Sequence, residues 1–148
     1  MSEVVQVQDI TKTYGKKGEK QYQALKGISF DVARGEFVGI MGASGSGKTT
    51  LLNILSTLDQ PTTGNVYING RDITGLNKNQ MADFRGQEIG FIFQDFNLLE
   101  NLTNRENIAL PLSLQNVKTS AINPKVDKIA KRLGIDHILN KYPAEISG

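Results

Sequence analysis

Apolar positions along this chain follow two different periods, and the change between them falls at residues 42–49. Val4 to Tyr14 alternates moderately, and Leu25, Ile28, Phe30 and Val32 recur close to every second position. Both patterns predict strands, Val4–Tyr14 and Ala24–Val32, able to pair as an antiparallel ribbon across turn material at 14–19. Phe37–Met41 and Glu88–Phe93 are short apolar runs; the first is bounded by Arg34-Gly35 and reads as a buried parallel strand, the second as a strand ending at Gln94-Asp95. Leu51, Ile54, Leu55 and Leu58 then fall at i, i+3, i+4, i+7, one face of a helix.

Punctuation residues bound the remaining elements. Pro61 prevents helix continuation through Asp59–Gly64, and Asn65–Ile68 reads as a short strand closed by the Asn69-Gly70 turn. Asn77 with Gln80, and Thr103 with Glu106, have the spacing of capping boxes that start helices. Pro111 should kink or end the second of these. Asn123 followed by Pro124 predicts a further helix start, with Val126, Ile129, Ala130 and Leu133 on one face at i, i+3, i+4, i+7 and Gly134 as its stop. No internal repeat, low-complexity tract or linker interrupts this order.

The switch point itself carries the chemistry. Gly42-Ala43-Ser44-Gly45-Ser46-Gly47-Lys48-Thr49 fits G-x-x-x-x-G-K-[ST], set between a predicted strand and a predicted helix. Gly42, Gly45 and Gly47 let backbone turn tightly and approach a phosphate without a Cβ in the way. Amide N–H groups of the loop and helix start then point at the anion, aided by the helix dipole. Lys48 supplies charge for the β- and γ-phosphates, and the Thr49 hydroxyl can sit on Mg²⁺. Nucleotide binding is the expectation.

Composition changes this picture little. The 148 residues are 39% hydrophobic and 22% charged, as in ordinary soluble domains, and the net charge of +2 is too small to argue for a nucleic-acid partner. Lys16-Lys17-Gly18-Glu19-Lys20 reads as a solvated turn. With no cysteine there is no disulfide, thiolate metal site or cysteine nucleophile, which suits a reducing cytoplasm. The Asn101-Leu102-Thr103 sequon is then incidental. No apolar run approaches the roughly 20 residues that cross a bilayer, and the N-terminus has no signal-peptide pattern.

Taken together, the motifs closely resemble those of the ATP-binding subunits of ABC transporters, over essentially every residue present. That resemblance implies an α/β fold of the phosphate-loop ATPase type, with an antiparallel β ribbon and the start of a helical subdomain. Residues 1–94 would form the ribbon and phosphate-loop core, and residues 95–148 the glutamine loop and helical part. Tyr14 matches the aromatic that stacks on adenine. Gln94 matches the glutamine whose carbonyl touches Mg²⁺ and the attacking water. Ala43, Ser44, Ser46 and Thr50 join the phosphate contacts, and Ile146-Ser147-Gly148 matches the opening of the signature motif, which would place Ser147 and Gly148 on ATP across a dimer.

The resemblance is closest to the macrolide-exporter and lipoprotein-release group, through Ala24–Phe30, Leu51–Leu55 and Gly90–Leu99. Within it, Asn140–Gly148 is most similar to the bacitracin-resistance type that handles antimicrobial peptides. The implied partners are a transmembrane permease subunit and a second ATP-binding subunit packed head to tail, with ATP and Mg²⁺ as ligands, on the cytoplasmic face of the membrane. Phe96, Leu98 and Leu99 are the candidate docking surface for the permease.

One departure limits what the chain itself should do. The family continues past the signature to a strand ending in Asp-Glu and then to a switch histidine, and neither is present. His137 precedes the signature and reads as a surface residue. Asp95 is set aside as a substitute, because strand alternation turns it away from the position required. The chain therefore reads as the N-terminal part of a longer subunit, binding nucleotide with negligible turnover alone. Its sheet should carry a gap beside Phe37, Ile40, Phe91 and Phe93. Two other readings remain: a non-hydrolysing nucleotide-sensing module, and a soluble phosphoryl-transfer enzyme, although nothing here looks like an acceptor site.

Overall fold

The computed structural model describes residues 2–146, which divide into two compact units, Met1–Ile89 and Gly90–Gly148. In the first unit, β1 (Glu3–Tyr14) and β2 (Tyr22–Ala33) form the antiparallel ribbon. β3 (Thr63–Ile68) and β4 (Arg71–Asp72) extend it into a four-stranded sheet of order β2-β1-β3-β4. The alternation along β1 is imperfect for a structural reason. The register shifts between Val7 and Ile10, where Asp9 has φ 48°, so that both apolar residues reach the same core.

Helix α1 (Lys48–Leu55) packs Leu51 and Ile54 against Val7, Ile10, Leu25 and Val66. Fully burying such side chains stabilises by about 1.5–3 kcal/mol each. Contrary to the sequence pattern, α1 stops before Leu58, which is exposed. Thr57 takes a left-handed φ of 63°, its N–H bonds Ile54 O at 3.2 Å, and the Leu58 N–H bonds Asn53 O at 2.9 Å. These are the two bonds of a Schellman ending, with a threonine where glycine is usual. Tertiary contacts hold it there: the buried Thr57 hydroxyl donates to Met81 O at 3.2 Å, and Arg85 donates to Thr57 O at 2.7 Å. Both partners lie on α2 (Lys78–Glu88), whose start is the expected Asn77–Gln80 capping box.

In the second unit, α3 (Asn104–Leu114) begins at the expected Thr103–Glu106 box and runs through Pro111 without ending. Only one helical bond is forfeited there, because the carbonyl of Asn107 loses the proline's missing N–H. The helix α4 spans Thr119–Leu133, starting four residues before the expected Asn123 cap and containing Pro124. Proline has the right φ for a helix, and Pro124 gives up a single bond close to the start. Gly134, at φ 72°, ends α4 as expected. Val126 and Ala130 meet Leu139 in a small core covered by Ile108, Ala109 and Leu112 of α3. Arg105 on α3 pairs with Asp127 on α4 at 2.8 Å, and the buried Asn104 donates to Ile138 O at 2.9 Å.

The two expected apolar strands, the parallel one at 37–41 and the one ending at Gln94, do not form. Residues 37–41 and 89–93 are irregular and belong to no sheet among the described residues. A parallel strand exists only through its neighbours' hydrogen bonds, and no described segment supplies them. Phe37 is 100% exposed, Phe91 and Phe93 are exposed and stack on each other at 5.6 Å, and Ile92 is fully exposed. Ile40 is the exception among the four residues expected to lose burial, since it packs against the first unit's core.

Candidate functional site

Backbone geometry, rather than a cluster of reactive side chains, defines the site. Gly47, at φ 96°, caps the start of α1, and no side chain caps that end. The first-turn N–H groups of an α-helix have no intrahelical acceptor, so those of Lys48, Thr49 and Thr50 are directed toward whatever lies beyond the helix start. A Cβ on Gly47 would meet Ala24 O at 2.8 Å and a Leu25 methyl at 2.9 Å. The loop thus rests directly on the backbone of β2. At Gly42, a Cβ would overlap the Ser46 hydroxyl at 2.5 Å.

Two devices shape the loop's interior. The Ser46 N–H donates to Ala43 O at 3.1 Å, closing a turn over 43–46. The Lys48 ammonium folds back to donate to the carbonyls of Gly42 and Ala43, the latter at 3.1 Å. A cleft of about 360 Å³ opens on this arrangement, lined by Tyr22, Ala24 and residues 44–50. Its charge character is that of an anion site: one ammonium, a helix N-terminus and hydroxyls, with no carboxylate in the lining.

Tyr14 stands beside this cleft. Its hydroxyl lies 3.3 Å from both the Thr50 hydroxyl and an Asp59 oxygen, and the Lys12 ammonium sits 5.2 Å from its ring centre. Lys12 also pairs with Asp59 at 3.0 Å. Partial burial pushes the Asp59 carboxyl up, but hydrogen bonds from Lys12 and the Gln60 amide, with the Lys12 charge, outweigh it and hold the group below its ordinary value. The network fixes Tyr14, a residue 40% exposed, next to the helix start.

The structure therefore brings Gly42 to Thr50 and Tyr14 together in the first unit. Gln94 is exposed and belongs to the second unit, as do Phe96, Leu98 and Leu99, all three exposed. Ser147 and Gly148 lie outside the described residues. His137 is exposed on a short 3-10 turn, Asp136–Ile138. Asp95 sits in an exposed bend, so the alternation argument that set it aside has no strand to act on.

Magnesium is implied by the motif, and the residues fit it. Among the described residues no group of three or more His, Cys, Asp or Glu side chains could hold a metal. Mg²⁺ does not need such a cage, because it takes one or two protein oxygens with phosphates and waters. Thr49 offers a hard hydroxyl oxygen on the cleft wall beside Lys48.

Sequence reasoning missed Tyr22. Its hydroxyl donates to Gly45 O at 3.1 Å, and its ring forms a wall of the cleft. The signal lay in register: Tyr22 pairs directly opposite Tyr14, so both rings project from one face of the ribbon. Starting the second strand at Ala24 hid that pairing.

Comparison with known proteins is consistent with this geometry. The sequence profile described as ABC transporter matches residues 25–148. The chain is 51% identical over 148 residues to the ABC transporter ATP-binding protein YxdL of Bacillus subtilis, covering all of this chain and 57% of that protein. It is 50% identical over 145 residues to the bacitracin export ATP-binding protein BceA of Halalkalibacterium halodurans, covering 98% of this chain and 57% of the relative. The chain thus spans little more than half of these relatives' length. Among solved structures, the ATP-binding cassette MJ0796, a dimer in a post-hydrolysis state bound to ADP and Pi, superposes with a TM-score of 0.84 at 38% identity, over 97% of this chain and 63% of that one.

Proposed function

The chain belongs to the ABC transporter family, and from that premise we propose that it binds MgATP and serves, within the full-length protein, as the energy-coupling ATPase subunit of a membrane transporter. The observation that carries this reading is the phosphate loop itself, formed around an uncapped helix start with Lys48 folded over it. The loop amides and Lys48 take the phosphate oxygens, and Tyr14 takes the adenine face. Thr49, and Gln94 through its carbonyl, would be the residues to hold a magnesium ion, which would supply charge neutralisation to the triphosphate. Phosphoryl transfer to water depends on positioning and charge neutralisation rather than covalent catalysis. Binding and neutralisation are therefore what this chain's residues contribute.

Head-to-tail pairing with a second ATP-binding subunit would place Ser147 and Gly148 on the partner's nucleotide. The exposed Phe96, Leu98 and Leu99 would receive a permease subunit at the cytoplasmic face. Similarity to BceA favours peptide-antibiotic cargo. Among the described residues no helix is long and apolar enough to cross a membrane. Residues 1–94 and 95–148 would act as nucleotide core and helical subdomain.

Titration calorimetry with MgATP on the full-length protein tests the binding. Saturable heat is expected, with Lys48→Ala weakening it by more than tenfold. Absence of heat from well-folded native protein would end the ATPase reading. The 148-residue polypeptide should show no steady phosphate release, and release that Lys48→Ala abolishes would refute that half.

A further inference from the structure

A phosphate loop must turn its N–H groups inward and keep its carbonyl oxygens, which repel an anion, engaged elsewhere. Here Lys48 holds the carbonyls of Gly42 and Ala43, the Leu51 N–H holds that of Gly47, and Tyr22 holds that of Gly45. The Gly45–Ser46 peptide is thereby pinned at both ends: its oxygen accepts from the Tyr22 hydroxyl at 3.1 Å, and its N–H donates to Ala43 O at 3.1 Å. Gly45 has φ 79°, and nothing stands within 4 Å of where its Cβ would be, so no neighbour props the peptide on that side and these two hydrogen bonds restrain its plane.

Resting on the nucleotide-binding reading above, we propose that Tyr22 is a positioning residue, a latch that holds the phosphate loop in its anion-accepting shape. Tyr22 opens β2 directly across from Tyr14, and among the described residues β2 pairs only with β1, so the latch sits on the outer strand of the ribbon. The two tyrosines divide the work. Tyr14 is tied to Thr50 on the helix, whereas Tyr22 is tied to the loop. Tyr22 is 58% exposed, so it contributes little to the core and its removal should not threaten the fold. It also stands between the nucleotide cleft and a second hollow of about 390 Å³ along residues 23–28.

The test compares Tyr22→Phe with native full-length protein, using MgATP and tripolyphosphate, which lacks a base. Loss of one hydrogen bond should weaken both ligands by the same factor, about fivefold. The Ser46 amide should exchange with solvent about fivefold faster in ligand-free protein, as expected when one pinning bond is lost. Tyr14→Ala, in contrast, should weaken MgATP while sparing tripolyphosphate. Unchanged affinities with unchanged Ser46 exchange in Tyr22→Phe would overturn the latch. So would weaker MgATP binding with tripolyphosphate unaffected, because Tyr22 would then be touching the base. A lowered urea midpoint with both affinities and Ser46 exchange intact would likewise overturn it, as a purely structural role. Failure of the native protein to bind MgATP is a separate result that sinks the function reading, while the exchange comparison still judges the latch.

Discussion

Replacing Gly47 and Gly45 separately with alanine would show whether the phosphate loop is held by its seat on β2. Both glycines have left-handed φ, 96° and 79°, so alanine at either adopts a backbone that costs about 1–2 kcal/mol. Either change also narrows the unfolded ensemble by about 0.4–1 kcal/mol, an effect that cancels between the two variants. Surroundings distinguish them. At Gly45 the added methyl enters open space, whereas at Gly47 it lies 2.8 Å from Ala24 O and 2.9 Å from a Leu25 methyl. Neither neighbour is a loose side-chain tip: one is strand backbone, the other a core residue 2% exposed.

Overpacking of that kind costs about 1–3 kcal/mol beyond the dihedral term. Gly47→Ala should therefore cost about 1–3 kcal/mol more than Gly45→Ala. Some of the Gly47 cost can be relieved by lifting the loop off β2, and then it appears in nucleotide binding. Urea unfolding of the full-length protein with unchanged slope, read alongside the MgATP dissociation constant, captures both portions. If the two variants show the same midpoint and the same dissociation constant, the loop is not seated on β2 as described.

Three further outcomes follow from the packing and the charges. Ile54→Ala removes a side chain 1% exposed between α1 and the sheet and should destabilise by about 2–5 kcal/mol, read from the urea midpoint. Because the Asp59 carboxyl is held below its ordinary value, its contribution is complete above the unfolded pKa, about 3.9, and is lost as pH falls through the lower folded value. Asp59→Asn should then flatten the acid limb of a stability-against-pH curve below about pH 4, and an unaltered limb would exclude the Lys12–Asp59 pair as its source. Finally, with Phe37, Met41 and Phe96 at 100%, 94% and 77% exposure, the 148-residue polypeptide should strongly enhance the fluorescence of a hydrophobic dye, and native-like silence would show those side chains to be covered.

What the sequence disclosed depends on how far each contact reaches along the chain. The capping boxes at Asn77–Gln80 and Thr103–Glu106 join residues three apart, and both are present as the spacing predicts. The loop motif is equally local, because eight consecutive residues specify its shape. The end of α1 is not local. Thr57 can adopt its left-handed turn only because Met81 and Arg85, more than twenty residues on, bond to it, and no window around Leu58 contains them. Tyr22 was hidden for the same reason, since its role follows from facing Gly45 and from pairing with Tyr14 across a turn. Pro111 and Pro124 misled in the opposite direction: the first suggests a kink or an end and the second a helix start, yet both lie inside helices, each at the cost of a single bond.

Residues 37–41 separate two properties that an apolar run merges. Hydrophobicity indicates that a segment is suited to burial; strand structure also requires a hydrogen-bonding neighbour, and that information lies in another segment. Among the described residues Phe37–Met41 has no such neighbour, yet the loop that follows is fully turned, with Ser46 bonded to Ala43 and Lys48 folded over both Gly42 and Ala43. The incoming strand therefore cannot be what shapes it. The support comes from the other side: β2 carries Gly47 on the Ala24 carbonyl and holds Gly45 through Tyr22, and α1 anchors the outgoing end through Leu51 and Ile54. A loop braced by an antiparallel ribbon and a buried helix can keep its anion-accepting shape while the segment before it remains unpaired.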